Sequence, residues 1–464
     1  MYNLNSLFTK IGERMKNYKQ FLNPPATEAE IASLEEKIKR PLPESFKEFY
    51  KLHNGEELMM FLGLRAMTLE RIDDEMSFWG HANVCDTNYL AHEPDMIQEV
   101  VYHPAWLPFA DDGGGNFLAI DFAPSSKGTV GQIINFGTDD WTRYVLAESF
   151  DHLLEIIERE IDADLLVPEE LYAEDDGEYE PEYLYWKSDY SNIAISPKEP
   201  ENKGEIISLS EYWKNIFGFT RNEFYLHELS KVRRLRITTY EEKMDFSPLK
   251  YFAYLVELVI QNFPGGDLTA IGDIVSLKNL EIVGSADLRD INFLKNLKNL
   301  KTVFLKNCKI SDISVLPHVE NLEKLHLKNI EIQDLSPLRK CKKLRELAVD
   351  NCKNFDATVI SPLMQLESLA LTNLSLINVD FLYGQTKLNR ISDMYNCLPE
   401  NFSDYSVFTE LTNLRQVACA YEHFEGIKKV NKNKIHYAII GEITDEQREI
   451  WMAYHREQHE GGGT

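Results

Sequence analysis

The sequence lacks several features that define common classes of protein. Its six cysteines include no Cys-x-x-Cys pair and stand beside no histidine cluster, which argues against a disulfide scaffold or a zinc ribbon. No stretch approaches the ~18 consecutive apolar residues that a membrane span needs. The first ten residues contain neither an apolar core nor a small-residue cleavage site. We therefore expect a cytoplasmic protein without membrane association.

Positive charge is also scarce. The 464 residues include 49 Lys and Arg against 75 Asp and Glu, which gives a net charge of −26 at pH 7. Such an excess repels phosphate backbones and favours basic partners, so we predict no direct binding to nucleic acid. The excess is uneven, because residues 162–201 hold 13 acidic and two basic side chains, whereas residues 232–423 hold 24 and 23. The first half of the chain and the acidic segment that follows it therefore hold nearly all the excess.

An internal repeat fills the second half of the chain. The phrase L-x-x-L-x-L-x-x-N begins at leucines spaced 22 residues apart, and such a period is typical of a solenoid. Looser copies begin at Val232 and Leu255, a shortened one at Leu280 and a degraded one at Leu414, which predicts eight or nine turns. The pattern resembles the internalin-like class of leucine-rich repeats, and this resemblance implies stacked parallel strands. The regularly spaced leucines are Leu300, Leu322, Leu344, Leu366 and Leu388.

Within each repeat, side chains alternate between the two faces of the strand. The apolar positions +3 and +5 point into the solenoid, +2, +4 and +6 line the concave face, and asparagine at +7 is expected to form a ladder with loop backbone. One aromatic side chain among mixed charges suits a protein partner, although an ordinary solvated face is the alternative. The predicted partner-binding residues are Arg234, Arg236, Phe304, Lys306, Lys324, His326, Lys328, Glu346 and Asp350.

Solenoid ends must be covered. Ser210 is predicted to begin a helix through Phe217 that shields the first turn, and Thr444 with Gln447 reads as a capping box that opens a last helix. The tail from Gly461 to Thr464 is expected to be disordered.

The first 162 residues show helical periodicity at both ends and strand periodicity between them. This order predicts an α+β domain with an antiparallel sheet. The predicted division is therefore 1–162 for this domain, 163–205 for an acidic linker, 206–440 for the capped solenoid and 441–464 for the last helix and tail. Within the linker we expect Tyr183 to Tyr190 to dock on a neighbouring domain; the alternative is a fully solvated linker.

Four sequence blocks in the first domain resemble the SUKH superfamily, which includes fungal cell-wall-assembly regulators and many bacterial proteins. The resemblance implies a non-enzymatic protein-binding domain, in bacteria most often an immunity protein against a toxin. Trp106, Asp111 and Asp112 are taken as contact candidates, and Met67 to His103 reads as a variable insertion. The blocks are Pro41-Leu-Pro through His-Asn-Gly55, Trp106-Leu-Pro through Gly115, Gly128-Thr-Val-Gly-Gln132 and Leu146-Ala-x-Ser-Phe150.

Motifs for chemistry are weak throughout. Asp111 to Gly115 lacks the ligand spacing of a calcium loop and the ending of a P-loop, so it is read as a turn. His455 and His459 lack the adjacent glutamate of a zinc-protease helix and are read as an exposed tail, and Cys308 and Cys352 as small buried side chains. We therefore predict no catalytic residue, no metal and no cofactor.

Two functions follow from these patterns. The leading hypothesis is a bacterial immunity protein that neutralises a toxin domain with a basic surface, because the acidic chain would attract it. The alternative is a regulatory scaffold that recruits partners through its repeats. The oligomeric state is left open.

Overall fold

The computed structural model divides into two compact units, Met1–Glu201 and Asn202–Thr464, each with its own core. The residues that it describes are 2–80, 89–169, 182–195, 204–217, 223–239, 244–263, 267–285, 287–332, 334–352, 355–392, 397–398 and 402–460.

The helices of the first unit begin and end where the sequence supplies caps. Glu30 N–H donates to Thr27 Oγ1 at 3.2 Å and Thr27 N–H donates to Glu30 Oε2 at 2.7 Å, which completes a capping box. Ser149 accepts from the backbone N–H of His152 and starts the longest helix of this unit. The helices are α1 (Leu4–Arg14), α2 (Glu28–Ile38), α3 (Glu44–Leu52), α4 (Leu69–Gly80), α5 (Phe150–Asp162) and α6 (Tyr190–Ile193), with a 3₁₀ turn at Tyr18–Phe21.

An antiparallel sheet in the order β1-β3-β4-β5-β7 packs against these helices. Its core is aromatic: Phe46, Phe109 and Phe150 lie within 6.2 Å of one another by ring centroids. The arrangement confirms the predicted α+β class. The strands of this unit are β1 (Arg65–Ala66), β2 (Leu90–Ala91), β3 (Trp106–Asp111), β4 (Asn116–Asp121), β5 (Gln132–Gly137), β6 (Thr142–Arg143), β7 (Val145–Ala147), β8 (Leu166–Pro168) and β9 (Leu184–Trp186).

Part of the segment predicted to be a linker belongs to the first unit. Strands β8 and β9 pair, and Leu166 and Leu184 are buried in its core. Trp186 donates its indole N–H to Glu160 Oε2 at 3.0 Å, and its ring lies 5.5 Å from Tyr190. The apolar side chains dock here despite the acidic composition around them; Tyr172 and Tyr179 lie outside the described residues.

In the second unit, ten described strands form one parallel sheet in chain order. This confirms the leucine-rich-repeat solenoid. The strands are β12 (Arg234–Thr238), β13 (Glu257–Gln261), β14 (Asn279–Val283), β15 (Thr302–Lys306), β16 (Lys324–Lys328), β17 (Glu346–Asp350), β18 (Ser368–Thr372), β19 (Arg390–Ser392), β20 (Gln416–Cys419) and β21 (His436–Ile439), after a hairpin of β10 (Ile206–Ser208) and β11 (Glu223–Tyr225).

Helical segments lie between the strands and, in the case of α10, after the last of them. They are α7 (Glu211–Phe217), α8 (Leu226–Ser230), α9 (Tyr421–Val430) and α10 (Asp445–Glu460), with 3₁₀ helices at Ser247–Tyr251, Thr269–Asp273, Asn292–Asn296, Leu316–His318, Ser336–Lys340, Ala357–Val359, Asp380–Leu382 and Ser406–Glu410.

The third repeat begins three residues earlier than predicted. Leu280 pairs with Val303, so it occupies position +3 and the repeat begins at Leu277. This repeat is therefore not shortened. Its +7 residue is Gly284, whose φ of +71° is positive, like the φ of the asparagines at this position in other repeats. The described strands of this sheet also number ten, because β21 adds one to the eight or nine turns that were predicted.

The asparagine ladder is present, but its amides mainly bond one another. Asn329 Nδ2 donates to Asn307 Oδ1 at 2.7 Å, and Asn351 Nδ2 donates to Asn329 Oδ1 at 2.8 Å. The backbone N–H groups of four asparagines reach the next strand instead, as from Asn307 to the Lys328 carbonyl at 3.0 Å. All five +7 asparagines have φ between 50° and 57°, the left-handed region that asparagine tolerates better than most residues.

Both ends of the solenoid are covered by helices. In α7, Trp213 is buried and donates its indole N–H to the Asp245 carbonyl at 2.9 Å. In α10, Trp451 Nε1 donates to the Tyr437 carbonyl of β21 at 2.9 Å, and His455 Nε2 lies 3.1 Å from the same oxygen. His455 was predicted to lie in an exposed tail, and this was wrong because it contacts the edge strand.

The described part of the chain excludes the side chains of Phe217 and His459. It also excludes residues 461–464, so their predicted disorder stays a prediction.

Candidate protein-binding surfaces

The concave face follows from strand alternation in the second unit. In β15, Val303 and Leu305 are buried, whereas Thr302, Phe304 and Lys306 are partly exposed. Because the strands are parallel and in register, side chains at one repeat position stand side by side on neighbouring strands about 4.8 Å apart. The register at position +4 is Phe304, His326, Ala348 and Ala370.

An aromatic pair and a carboxylate occupy the middle of this face. The rings of Phe304 and His326 lie 5.6 Å apart at 64°, and His326 Nε2 is 2.7 Å from Glu346 Oε1. The bond to His326 lowers the pKa of the Glu346 carboxyl, although burial acts in the opposite direction. Glu346 is therefore ionised at neutral pH and fixes the imidazole.

Lysines flank this pair. Lys324 Nζ lies 3.9 Å from Glu346 Oε2, and Lys328 forms a salt bridge with Asp350. Seven of the nine predicted residues are thus contiguous on β15, β16 and β17. We call them the lysine–aromatic patch, and its members are Phe304, Lys306, Lys324, His326, Lys328, Glu346 and Asp350.

Arg234 and Arg236 do not join the patch. Both are exposed on β12, and β13 and β14 separate them from β15, a distance of about 14 Å along the sheet. Arg234 Nε lies 3.9 Å from Glu257 Oε2 on the adjacent strand.

Three concave residues were missed in the sequence. Asn279, Glu281 and Val283 of β14 line the concave face, and Glu281 stands directly beside Phe304. They were missed because the third repeat was placed three residues out of phase. The correct phrase, Leu277-Lys-Asn-Leu280-Glu-Ile282, was present in the sequence and would have revealed them.

In the first unit, Trp106 is not a contact residue. It is fully buried, with its ring 5.6 Å from Phe136 and 6.2 Å from Tyr102. Its prediction as a partner contact was wrong, because the side chain is buried in the core and a partner cannot reach it.

Asp111 and Asp112 organise the turn between β3 and β4. Asp111 is buried and accepts from Arg71 Nη2 at 3.1 Å, from Arg65 at 3.3 Å and from the Gly113 N–H at 2.8 Å. It is therefore also unsuited to partner contact. Asp112 is exposed, yet its carboxylate accepts from the Gly114 and Asn116 backbone, as the turn interpretation predicted.

Comparison with known proteins identifies the domain that this unit carries. Residues 25–156 match the SMI1/KNR4 family (SUKH-1). The first unit contains a SUKH-1 domain.

The curated relatives of this SUKH-1 domain are fungal. One is a cell wall biosynthesis/cell cycle regulator of Schizosaccharomyces pombe, 30% identical over 28% of this chain and 30% of that protein. Another is a cell wall assembly regulator of Saccharomyces cerevisiae, 27% identical over 29% of this chain and 34% of that protein. The chain thus aligns with about a third of the length of each. A glucan synthesis regulatory protein of Neurospora crassa is 48% identical over 15% of this chain and 13% of that protein.

Solved structures similar to the chain include bacterial repeat proteins. An internalin of Listeria monocytogenes has a TM-score of 0.41 at 22% identity, covering 50% of this chain and 67% of that one. A leucine-rich-repeat protein of Leptospira interrogans has a TM-score of 0.35 at 17% identity, covering 47% and 64%.

Two buried ionisable residues of the SUKH-1 domain were not singled out in the sequence. Burial raises the pKa of Glu56 to about 8, although the backbone N–H groups of Ala66, Leu58 and Met60 favour its charged form. Burial lowers the pKa of His53 to about 4. Both are neutral near pH 6 and serve the packing of the turn after α3.

Large aromatic side chains are exposed on the surface of the first unit, and two of them, Phe78 and Trp141, were not singled out in the sequence. Phe78 is 68% exposed, Tyr185 54% and Trp141 50%. Phe78 lies in α4, within the segment interpreted as a variable insertion, Met67 to His103, and the Trp141 ring lies 6.5 Å from that of Tyr89 in the same segment. Exposed aromatic rings are typical anchors of protein interfaces.

Thiol and metal chemistry find little support among the described residues. Burial raises the pKa of the Cys308 and Cys352 thiols, so both are protonated and packed as predicted. No group of three or more His, Cys, Asp or Glu side chains is arranged for a metal within the described ranges. No helix in that part of the chain is long and apolar enough to cross a bilayer.

Proposed function

We propose that the chain is a regulatory adaptor that binds proteins through two surfaces, one in each unit, without catalysing a reaction. The relatives of its SUKH-1 domain carry the names of regulators of cell wall assembly and glucan synthesis. Those names support the scaffold alternative better than the immunity hypothesis. The chain aligns with only about a third of each of the first two relatives, so the proposal concerns this chain and not their whole activity.

The lysine–aromatic patch is the observation that carries the proposal. It places an aromatic pair, of the kind that anchors protein interfaces, among three lysines and two carboxylates, which suit the polar rim around such an anchor. The strands are held in register by the buried leucine ladder, so little entropy is lost when a partner binds.

Affinity capture from the source cells tests the adaptor. The tagged full chain is compared with Phe304→Ala/Lys306→Glu in the repeats and with Phe78→Ala/Trp141→Ala in the first unit. Lys295→Glu/Lys340→Glu, on the opposite face of the solenoid, is the control. We expect the first double variant to lose one set of proteins, the second to lose another and the control to lose none.

If all four forms captured the same proteins, the adaptor proposal would fail. Capture of a toxin domain through either surface would replace the regulatory role with immunity.

A further inference from the structure

The concave face differs in charge from the rest of the chain. Its described side chains include more cations than anions, although acidic residues outnumber basic ones 75 to 49 in the whole sequence. The cations are Arg234, Arg236, Lys306, Lys324, Lys328 and Arg390, and the anions are Glu257, Glu281, Glu346 and Asp350.

Part of this positive charge is not neutralised locally. Lys306 and Lys328 are register partners on adjacent strands, and Asp350 forms a salt bridge with Lys328. Lys306 has no salt bridge to any residue that the structure describes. Like charges side by side on neighbouring strands repel each other, and the Lys328–Asp350 salt bridge reduces this repulsion but leaves Lys306 without a carboxylate among the described residues. An incoming carboxylate would relieve that repulsion.

The surface beside the lysines has a step. Along position +4, Phe304 and His326 are followed on the next two strands by Ala348 and Ala370. Two large ring side chains therefore lie beside two small alanine side chains, which leaves a lower surface there. The bond from His326 to Glu346 holds the ring that forms the wall. An apolar side chain that lies on the alanines packs its edge against the imidazole.

We propose that the concave face binds an acidic protein segment that carries one apolar side chain. The apolar side chain lies on Ala348 and Ala370 against His326, and the flanking carboxylates pair with Lys306, Lys324 and Lys328. This inference rests on the proposed function, because it names the partner of the same patch. It is opposite in sign to the basic toxin surface expected from the overall charge. The net negative charge opposes approach only weakly at physiological salt, where screening acts within about 8 Å.

Selection of random peptides displayed on phage against the immobilised full chain tests the inference. We expect enrichment of peptides with one Leu, Ile, Phe or Met flanked by Asp or Glu. A synthetic peptide of the enriched sequence, measured by fluorescence anisotropy, should bind Lys306→Glu/Lys328→Glu at least about tenfold more weakly than the unchanged chain. It should bind the control Lys295→Glu/Lys340→Glu with unchanged affinity.

Three results would overturn the inference. Enriched basic peptides that lose binding in Phe304→Ala would leave the proposed function standing and reverse the partner's charge. Acidic peptides that bind Lys306→Glu/Lys328→Glu as well as the unchanged chain would place the site elsewhere. A selection that enriches nothing would also contradict it, while the capture experiment still decides the adaptor proposal by itself.

Discussion

At the scale of single residues, His53 and Glu56 make the stability of the SUKH-1 domain depend on pH in opposite ways. The fold holds Glu56 neutral, so its stabilisation is complete below the ordinary carboxyl pKa of 4.5 and is lost as pH rises towards 8. The fold holds His53 neutral too, so its contribution is present above pH 6.5 and is lost as pH falls towards 4. These two residues together favour a stability maximum at mildly acidic pH.

We therefore predict that the first unit melts about 5 °C lower at pH 8 than at pH 6. Glu56→Gln keeps a carbonyl oxygen for the Ala66 N–H and cannot ionise, so it should abolish this decline. Differential scanning calorimetry between pH 6 and pH 8 measures the melting temperature of the unchanged chain and of the variant. An equal decline in the variant would show that Glu56 is not its cause.

The sequence pattern does not reveal such residues, because side-chain type alone does not report burial. Glu56 reads as an ordinary polar turn residue, and only the backbone N–H groups that converge on it explain its position. Trp106 and Asp111 were wrongly predicted as partner contacts for the same reason. Both belong to a recognisable sequence motif, but both are buried and stabilise the fold. The patch residues were predictable because strand alternation fixes which face each one occupies.

At the scale of elements, the +7 position of each repeat joins two requirements, a left-handed backbone and an amide that bonds its neighbours. Asn329 satisfies both, with φ 53° and amide bonds to Asn307 and Asn351. Gly284 satisfies only the first. The two requirements are therefore separable by substitution.

We predict that Asn329→Ala lowers the free energy of unfolding of the solenoid by about 2 kcal/mol, since alanine strains the left-handed backbone and removes both amide bonds. Asn329→Gly keeps the backbone relaxed and should cost about half as much. Urea unfolding followed by circular dichroism measures the difference. Equal losses in the two variants would mean that backbone conformation contributes nothing here.

The elements were largely predictable where the period was regular. Leucines spaced 22 residues apart located β15 to β18 because each strand must repeat the same buried positions. The start of the third repeat was predicted wrongly because either of two leucines, Leu277 or Leu280, could be taken as the first residue of the repeated phrase. Strand β8 was obscured by the acidic composition of its segment, whereas Tyr183 to Tyr190, which contains β9, was expected to dock because of its aromatic side chains.

At the scale of the whole molecule, two units with separate cores combine a SUKH-1 domain with a repeat solenoid. The overall charge does not describe the concave face, because the net charge of 464 residues hides a face with more cations than anions. The proposal of an acidic partner therefore rests on the local arrangement of Lys306, Lys328 and the aromatic pair, and not on the total charge.

We propose that the concave face of the solenoid receives a protein partner. A photo-crosslinking amino acid at Ser368, beside the patch on β18, tests it directly in the source cells, with Lys295 on the opposite face as the matched position. We expect protein crosslinks from position 368 that disappear when Lys306 and Lys328 are changed to Glu, and none of these crosslinks from position 295. Identical crosslinks from both positions, or crosslinks from position 295 alone, would contradict it.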